Sequence, residues 1–365
     1  MSIIIFFIIL SALIIVHELG HFLVAKKFGI RVDEFGLGYP PRAKKLFSWW
    51  GTDFTLNWLP FGGFVKIFGE NPDSAEAEEV SSESFQSKNR GIQASVLAAG
   101  VFFNFLFAWL LISLGFMTGI PSPAGLSVPL ENPRTIITLV VPGSPADLGG
   151  LKSGDAIGSL SRGNDVISAT EDAQLSPQIV SEFISLSPEP ITFSINRGET
   201  AKEVTVTPAT DIIAERPAVG IAMETIGTVQ LPPHQAFWHG LKTTWAFTVF
   251  TAKAIATLIS QAFVGKADLG AVTGPVGIVG MVGDMKDLGW SYLVTFTALL
   301  SINLSIINLL PFPALDGGRL LFVGIETITR RPIPARFFNA VNAAGFALLI
   351  FLMILITIRD VRNIF

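Results

Sequence analysis

The strongest constraint on the fold is an apolar stretch at the start of the chain, because it is long enough to cross a lipid bilayer. Residues 3–16 are almost entirely Ile, Leu, Phe, Val and Ala, and residues 22–25 continue the apolar character. With the short segment between them, they cover the roughly 20 residues that a membrane-spanning helix requires. The stretch lacks the basic start and the small-residue cleavage site of a secretory signal peptide. We therefore interpret it as a retained membrane helix.

The sequence His17-Glu18-Leu19-Gly20-His21 interrupts this stretch, although ionisable groups are costly inside a membrane and mark functional sites there. On a helix, His17 and His21 project from one face one turn apart, so both imidazoles can bind one metal ion. Glu18 lies about 100° around the helix from His17, where its carboxylate can act as a general base. The alternative is a soluble protein that buries two satisfied histidines, and the apolar surroundings argue against it.

The composition favours an integral membrane protein. Of the 365 residues, 50% are hydrophobic and 15% are charged, whereas soluble proteins carry about 25% charged residues. The net charge of −4 gives no electrostatic basis for a nucleic-acid partner. Because the chain has no cysteine, disulfides and thiolate ligands are excluded, and any metal ion must be held by His and carboxylate side chains.

Four membrane helices are predicted, the first at the N-terminus and the others within residues 94–118, 290–325 and 338–358. Basic residues follow the first of these helices, and we predict that they form a cytoplasmic loop by the positive-inside rule. They are Lys26, Lys27, Arg31, Arg42, Lys44 and Lys45. Residues 237–264 are apolar but interrupted by lysines, which predicts an amphipathic helix in the membrane interface, with a full span as the alternative.

Residues 51–70 alternate β-forming side chains around Pro60-Phe61-Gly62-Gly63, which predicts a β-hairpin with its turn at these four residues. An edge strand of such a hairpin can pair with an extended substrate. The substrate-binding candidates are Gly62, Gly63, Phe64 and Val65. Packing of the hairpin on the protein's own helices is the alternative. The acidic segment that follows, residues 70–83, is predicted to be a solvated loop without chemistry.

Asn104 is the single amide side chain in the second predicted span. Gly100, one turn earlier, allows another helix to approach closely. Asn104 is therefore either an interhelical hydrogen-bonding group or a contact to substrate.

The composition changes completely between residues 119 and 216, where Pro, Gly, Ser and acidic residues become frequent. Strands are predicted at residues 135–141, 191–196 and 203–207, and a short helix at residues 177–186. A segment of about 90 residues is large enough for an independent domain. Because two spans precede it, we expect it on the outer side of the membrane.

Within this segment, residues 141–157 have the sequence Val-Pro-Gly-Ser-Pro-Ala-Asp-Leu-Gly-Gly-Leu-Lys-Ser-Gly-Asp-Ala-Ile. This order resembles the PDZ domains of bacterial envelope proteases, in which a Ser-Pro-Ala helix is followed by Gly-Leu-x-x-Gly-Asp and a strand. PDZ domains bind extended chain ends beside an exposed strand, so a peptide ligand is a candidate partner of this domain.

Residues 308–319 form a second unusual sequence, Asn-Leu-Leu-Pro-Phe-Pro-Ala-Leu-Asp-Gly-Gly-Arg. Prolines and glycines break a membrane helix, which is tolerated where the segment lines a cavity inside the protein. Basic residues follow Asp316, as they follow His17 and His21, so all three side chains are predicted at similar depth on the cytoplasmic side. They are therefore candidate neighbours.

Two distant motifs and the insert together resemble the site-2 intramembrane metalloproteases, in particular the bacterial branch that regulates sigma-E. They are His17-Glu18-Leu19-Gly20-His21 in the first membrane helix, the outer PDZ insert, and Asn308-x-x-Pro311-x-Pro313-x-Leu315-Asp316-Gly317 in a later one. Gly62-Gly63-Phe64-Val65-Lys66 is also similar to the membrane-reentrant hairpin of this family.

The resemblance implies a polytopic α-helical membrane protein with four transmembrane helices, a membrane-associated β-hairpin and a single inserted α+β PDZ domain. The implied divisions are residues 1–118 with the first two spans, the basic loop and the hairpin, 124–212 as the PDZ domain, 234–289 as a membrane-associated amphipathic region, and 290–365 with the last two spans.

The resemblance also implies an intramembrane zinc endopeptidase that acts in regulated intramembrane proteolysis. It assigns Zn²⁺ binding to His17, His21 and Asp316 and the catalytic base to Glu18, and it makes Asn308 and Asn104 contacts to substrate. The implied substrates are membrane proteins with a single transmembrane segment, such as pre-cleaved anti-sigma factors or remnant signal peptides. The implied location is the bacterial cytoplasmic membrane, with the active site toward the cytoplasm and the PDZ domain outside.

Other functions remain open at this point. A non-catalytic membrane scaffold would use the PDZ domain to capture exposed peptide ends. A metal transporter is disfavoured because few intramembrane polar residues are available to line a path. Fe²⁺ or Co²⁺ would also fit a site of two histidines and one aspartate.

Overall fold

A computed structural model describes residues 2–70, 81–124, 130–169, 175–198, 200–213, 216–266 and 273–364. The chain forms two compact units. The first contains Met1–Leu114, Phe237–Asp287 and Leu293–Phe365, and the second contains Gly115–Ala236 and Leu288–Tyr292. Residues 71–80 of the predicted acidic loop lie outside the described residues.

The helices are α1 (Ser2–Lys27), α2 (Arg90–Thr118), α3 (Pro145–Gly149), α4 (Pro177–Ser185), α5 (Pro233–Phe263), α6 (Pro275–Leu288), α7 (Trp290–Leu309), α8 (Asp316–Thr329) and α9 (Ala335–Ile364). The strands are β1 (Val32–Trp49), β2 (Thr52–Ile67), β3 (Ile120–Pro123), β4 (Glu131–Val140), β5 (Ala156–Arg162), β6 (Asp165–Ser168), β7 (Ile191–Arg197), β8 (Thr200–Val206), β9 (Ala209–Ile213), β10 (Arg216–Ala218) and β11 (Ile221–Val229).

Among the described residues, four helices are long and apolar enough to cross a membrane: α1, α2, α7 and α9. The prediction of four membrane helices is thus confirmed. The predicted break after the third span is present as well, because α7 ends at Leu309 and α8 begins at Asp316. Helix α5 covers the predicted interfacial segment and is not one of the four, and its place in the interface stays a prediction.

Helices α1 and α2 pack closely where small residues meet. A methyl group on Gly20 of α1 would lie 2.5 Å from the carbonyl oxygen of Ala99 in α2, which leaves no room for any side chain there. Large apolar side chains, including Phe22 and Val96, fill the core on either side of this contact. Close approach of two helix backbones at small residues is typical of membrane helices. This close packing places the face of α1 that carries His17 and His21 against α2.

Residues 32–67 reverse direction more than once within β1 and β2. The chain reverses at Trp50 and Gly51, which adopt the left-handed conformation with φ of 52° and 70°. Residues 34–37 of β1 pair with residues 53–56 in parallel register and with residues 63–66 in antiparallel register, so β2 itself reverses between these two segments. The predicted turn at residues 60–63 lies in this reversal, where Gly62 has φ of 89°. Among the described residues, the two arms of the predicted hairpin are separated by β1 and do not pair with each other.

The predicted basic loop also needs correction. Arg42, Lys44 and Lys45 lie in β1, so this part of the segment is a strand rather than a loop. The backbone of this region pairs with β2 through contacts such as Arg42 with Asn57 and Lys45 with Thr55. Pairing satisfies the backbone polar groups while the basic side chains remain exposed on the surface.

The second unit contains a seven-stranded sheet with the order β3-β11-β4-β5-β7-β8, in which β6 also pairs with β5. The three strands and the helix predicted from the sequence are present as β4, β7, β8 and α4. The apolar core includes Ile137, Leu160, Val180 and Phe193. The predicted domain, residues 124–212, lies inside this unit.

A buried ion pair stabilises this sheet. The carboxylate of Asp155 is fully buried and accepts hydrogen bonds from Nε and Nη2 of Arg197 at 2.7 and 2.8 Å. These hydrogen bonds raise the pKa of the Arg197 guanidinium above its usual value. The backbone amide of Lys152 donates to the same carboxylate at 2.8 Å, so Asp155 joins the loop after α3 to β7.

Substitution of Arg197 by methionine will destabilise the second unit, because it leaves the Asp155 carboxylate buried without a cation. Breaking a buried ion pair costs about 3–5 kcal/mol, and the partial exposure of Arg197 reduces the expected loss to about 2 kcal/mol. Hydrogen exchange of the β5 and β7 amides in the full-length protein measures this loss. Substitution of the exposed Arg134 by methionine is the control, and equal exchange in the two variants would contradict the prediction.

Candidate metal centre

Three side-chain atoms from distant parts of the chain converge in the first unit. Nε2 of His17 lies 2.9 Å from Oδ2 of Asp316, and Nε2 of His21 lies 3.2 Å from the same oxygen. The two Nε2 atoms are 3.2 Å apart. Ligands at about 2.0–2.1 Å from a tetrahedral Zn²⁺ ion are separated from one another by about 3.3 Å. The three atoms therefore have the spacing that a tetrahedral metal ion requires.

The secondary structure explains this convergence. His17 and His21 are one helical turn apart on α1, and both are buried, with 7% exposure each. Asp316 is the first residue of α8, after the break that follows α7. Gly317 and Gly318 allow the first turn of α8 to pack against the carbonyl groups of residues 309–312, where a side chain would collide with them. The break thus turns Asp316 back toward α1.

The other nitrogen of each imidazole is held by α2. Nδ1 of His21 lies 2.8 Å from the carbonyl oxygen of Val96. Because a carbonyl only accepts hydrogen bonds, Nδ1 carries the hydrogen, and in the neutral ring Nε2 keeps the lone pair that a metal ion needs. Nδ1 of His17 lies 3.1 Å from Nδ2 of Asn104.

The position of Asn104 decides between the two roles that its sequence context left open. Asn104 is fully buried and is not one of the residues that line the cavity beside the site, so its predicted contact with substrate is not supported. Its backbone carbonyl accepts a hydrogen bond from Oγ of Ser301 in α7 at 2.8 Å. Asn104 thus joins α2 both to α7 and to the back of His17.

The side-chain amide of Asn104 can also form the hydrogen bond to His17 that metal binding at Nε2 requires. Its Oδ1 is buried without a hydrogen-bond partner among the described residues. A half-turn of the amide brings Oδ1 to Nδ1 of His17, where it accepts the N–H and leaves the lone pair on Nε2 for a metal ion. The side chain of Asn104 is thus compatible with metal binding to Nε2 of His17.

A cavity of about 430 Å³ opens beside the three donor atoms. Its lining residues are Leu10, Ile14, His17, Glu18, Tyr39, Gly62, Gly63, Leu304, Asn308, Ala314, Leu315 and Asp316. The predicted base Glu18 and the predicted substrate contacts Asn308, Gly62 and Gly63 thus share one cavity with two of the predicted metal ligands.

The other two predicted substrate contacts do not line this cavity. The ring of Phe64 stacks on Tyr39, with centroids 6.5 Å apart. Val65 packs against the core between α1 and the sheet. Both side chains therefore make packing contacts within the protein, and neither lines the cavity.

The backbone of β2 passes next to Glu18. A methyl group on Gly63 would lie 3.8 Å from Cγ of Glu18 and 3.1 Å from the carbonyl oxygen of Gly36 in β1. Because Gly63 has no side chain, the space between β2 and Glu18 stays open. An extended chain can therefore approach both the strand and the carboxylate.

Sequence reasoning missed several residues that support the site. The carbonyl of Val96 carries no sequence signal, because every residue has one. Tyr39 and Ser301 stand in contexts that indicate no function. The sequence indicated that a helix approaches closely at Gly100, but not that the two histidines do. A methyl group on Gly100 would lie 2.5 Å from Nε2 of His21 and 2.7 Å from Nε2 of His17.

Comparison with known proteins identifies the class. The model of peptidase family M50 matches residues 5–352, so the chain belongs to this family of site-2 proteases. Together with the four apolar helices, this makes it an integral membrane zinc metalloprotease.

Similar proteins come from several bacteria. The zinc metalloprotease RasP of Geobacillus kaustophilus is 29% identical over 443 aligned residues, covering 100% of this chain and 98% of RasP. Proteins of Clostridium perfringens and Synechocystis, both named putative zinc metalloproteases, are 36% and 33% identical and cover 96% and 98% of this chain. The alignments include 96% and 93% of those two proteins.

Substitution of Gly100 by alanine will weaken zinc binding, because the added methyl group displaces both imidazoles. Changes next to metal ligands typically reduce metal affinity by about 10- to 100-fold, and we expect a loss in this range. Chelator competition on the full-length protein measures it. Gly280→Ala in α6, where a methyl group meets no atom of the described residues within 4 Å, is the matched control. Equal zinc affinity in both variants would show that Gly100 does not set the imidazole positions.

Proposed function

We propose that His17, His21 and Asp316 hold the zinc ion of this protease and that Glu18 is its catalytic base. The observation that carries the proposal is the convergence of the three donor atoms within 3.2 Å of one another. His17 and Asp316 are 299 positions apart in the chain, so local sequence does not bring them together. Two imidazole nitrogens and a carboxylate oxygen are ligands that zinc prefers, and they leave a fourth position for catalysis.

When bound, zinc supplies Lewis acidity that polarises a peptide carbonyl and makes a water molecule more acidic. The protein supplies the groups that orient the substrate and move protons. Glu18 faces the same cavity as His17 and Asp316. Its carboxylate takes a proton from the attacking water and delivers it to the nitrogen of the cleaved peptide bond. A carboxylate that is not a metal ligand is free to carry that proton.

Asn308 orients the peptide bond that is cleaved. It lies at the end of α7 and lines the cavity together with Glu18 and Asp316. Its side-chain amide offers two N–H donors and one acceptor. Donors aimed at the carbonyl oxygen of the cleaved bond stabilise the negative charge that develops there.

The substrate enters the site as an extended chain rather than as a helix. A helical peptide bond is hydrogen-bonded internally and shielded by side chains, so the segment must unwind before water can attack it. Gly62 and Gly63 of β2 line the cavity beside Glu18. Residues 63–66 pair on one side with β1, and backbone pairing with substrate on the other side holds the unwound segment.

Residues 124–212 of the second unit form a single PDZ domain that takes an extended peptide end. Ser144 precedes α3 as its N-cap, where its side chain accepts a hydrogen bond from the amide of Asp147, and Gly150 follows α3 as its C-cap in the left-handed conformation. This helix-and-glycine geometry is what the Ser-Pro-Ala and Gly-Leu elements of the PDZ resemblance require. Two membrane helices precede the unit, so it lies on the outer side, and the metal centre lies toward the cytoplasm.

The substrates are membrane proteins with a single transmembrane segment, in the bacterial cytoplasmic membrane, where the enzyme acts in regulated intramembrane proteolysis. Pre-cleaved anti-sigma factors and remnant signal peptides are the two kinds of substrate that the family resemblance favours. The lipid bilayer surrounds the four apolar helices. The β1–β2 sheet is the membrane-associated hairpin that the resemblance implies.

Replacement of Glu18 by glutamine will abolish cleavage of a transmembrane substrate without loss of zinc. Loss of a general base costs about 10²- to 10⁴-fold in rate, and glutamine preserves the size of the side chain. The measurement is cleavage of a single-span model protein in proteoliposomes, with zinc content determined on the same sample. Glu131→Gln, at an exposed residue of β4, is the control. Cleavage by the Glu18→Gln variant at the normal rate would contradict the assignment and favour a non-catalytic scaffold.

A further inference from the structure

The last membrane helix, α9, contacts the turn that carries Asp316. Little of this helix is packed against the rest of the described chain, since only 6% of its apolar membrane-spanning stretch is buried. The contacts that it does make near its N-terminal end are therefore informative. Besides a ring contact of Phe338 with Phe322 of α8, they involve Asn342 and Gly345, which lie three positions apart and so share one face of the helix.

The turn itself adopts an unfavourable backbone conformation. Ala314 has φ of 72°, in the left-handed region that residues with a Cβ atom rarely adopt. Such a conformation persists only where the surrounding structure holds it, and it is often found at functional sites. Ala314 is two residues before Asp316 and lines the same cavity.

Helix α9 holds this turn in two ways. Oδ1 of Asn342 accepts a hydrogen bond from the backbone N–H of Ala314 at 3.1 Å. Gly345 presents a surface without a side chain to Pro313, and a methyl group there would lie 2.5 Å from Cβ and 2.9 Å from the carbonyl oxygen of Pro313. The first contact satisfies the amide of the strained residue, and the second allows the proline to sit directly on the helix.

The direction of the Asp316 side chain follows from this turn. Leu315 is extended, with φ of −106° and ψ of 161°, and it connects Ala314 directly to the first residue of α8. Rotation of the backbone at Ala314 would therefore move the whole first turn of α8. The 2.9 and 3.2 Å distances from Oδ2 of Asp316 to the two imidazoles depend on the conformation of Ala314.

We propose that Asn342 and Gly345 are positioning residues for the metal site. They keep the Pro313-Ala314 turn in the conformation that directs Asp316 toward His17 and His21. The inference rests on the proposed function, because it takes Asp316 as a metal ligand. Helix α9 therefore influences zinc affinity indirectly, because Asn342 and Gly345 contact the turn before Asp316 and not the metal site itself.

The test is zinc affinity, measured by chelator competition on the full-length protein. Leucine and aspartate are both close in size to asparagine, but only aspartate keeps an oxygen that can accept the Ala314 N–H. We expect Asn342→Leu to weaken zinc binding by about 10- to 100-fold, whereas Asn342→Asp binds zinc like the parent protein or more tightly. Ala343→Leu adds the same side chain at the adjacent exposed residue and is the matched control.

Gly345→Ala provides a second arm with its own control. We expect it to weaken zinc binding, because the methyl group pushes Pro313 away. Gly324→Ala in α8 should leave binding unchanged, because no atom in the described part of the chain lies within 4 Å of its added methyl group. Thermal unfolding of the metal-free variants reports general damage separately. Loss of zinc affinity at an unchanged metal-free unfolding temperature supports positioning.

Zinc affinity equal to the parent protein in both Asn342→Leu and Gly345→Ala would overturn the inference. An equal loss of affinity in Asn342→Leu and Ala343→Leu would also overturn it, since the hydrogen bond would then be irrelevant. Asp316→Asn separates this inference from the proposed function. If that variant keeps zinc, the proposed ligand set is wrong; if it loses zinc while Asn342→Leu keeps it, only the role of α9 is wrong.

Discussion

The structure of the first unit depends on the approach of two imidazoles and one carboxylate in a largely apolar interior. Burial of ionisable groups among membrane helices is costly unless they bind one another or a metal ion. His17, His21 and Asp316 are brought within 3.2 Å of one another by three separate features. These are the close contact of α1 and α2 at two glycines, the break between α7 and α8, and the hydrogen bonds from α2 to the back of both imidazoles.

Much of the site could be predicted because its chemistry is local in sequence or limited by the membrane. The four-residue spacing of His17 and His21 sets their common face on any helix. Asp316 was placed near them by the broken helix around it and by the basic residues that follow, which together limit its depth in the membrane. The distances among the donor atoms and the identity of the cavity lining could not be predicted, because they depend on how distant helices pack.

Features that depend on long-range packing could not be predicted. The composition of Pro60-Phe61-Gly62-Gly63 predicted the chain reversal, but not that β1 lies between the two segments that the turn joins. Asn104 was compatible with either substrate or helix contacts, and only the rotation of α2 decides that it faces His17. Asn342 and Gly345 are an amide and a glycine that indicate helix contact, but the sequence does not indicate which segment they contact.

Helix α9 is anchored at both ends. Near its start it contacts the Asp316 turn, and near its end the buried carboxylate of Asp360 accepts hydrogen bonds from the amides of Gly274 and Gly277 at 2.9 and 3.0 Å. A carboxylate at the N-terminus of a helix, here α6, is favourable because unpaired N–H groups and the helix dipole both attract it. The peripheral helices α6 and α9 are thus connected to the metal centre by hydrogen bonds and not only by apolar packing.

The most direct test of the three-ligand site is X-ray absorption spectroscopy at the zinc edge on the full-length protein with Glu18→Gln, which prevents turnover. We expect one zinc ion per chain with two imidazole nitrogens at about 2.0–2.1 Å and oxygen ligands at about 2.0–2.2 Å. We also expect that one of the two imidazole signals is lost when His17 or His21 is replaced by alanine. A spectrum with fewer than two imidazoles, or one that is unchanged by both substitutions, would contradict the claim that α1 and α8 together bind the catalytic metal.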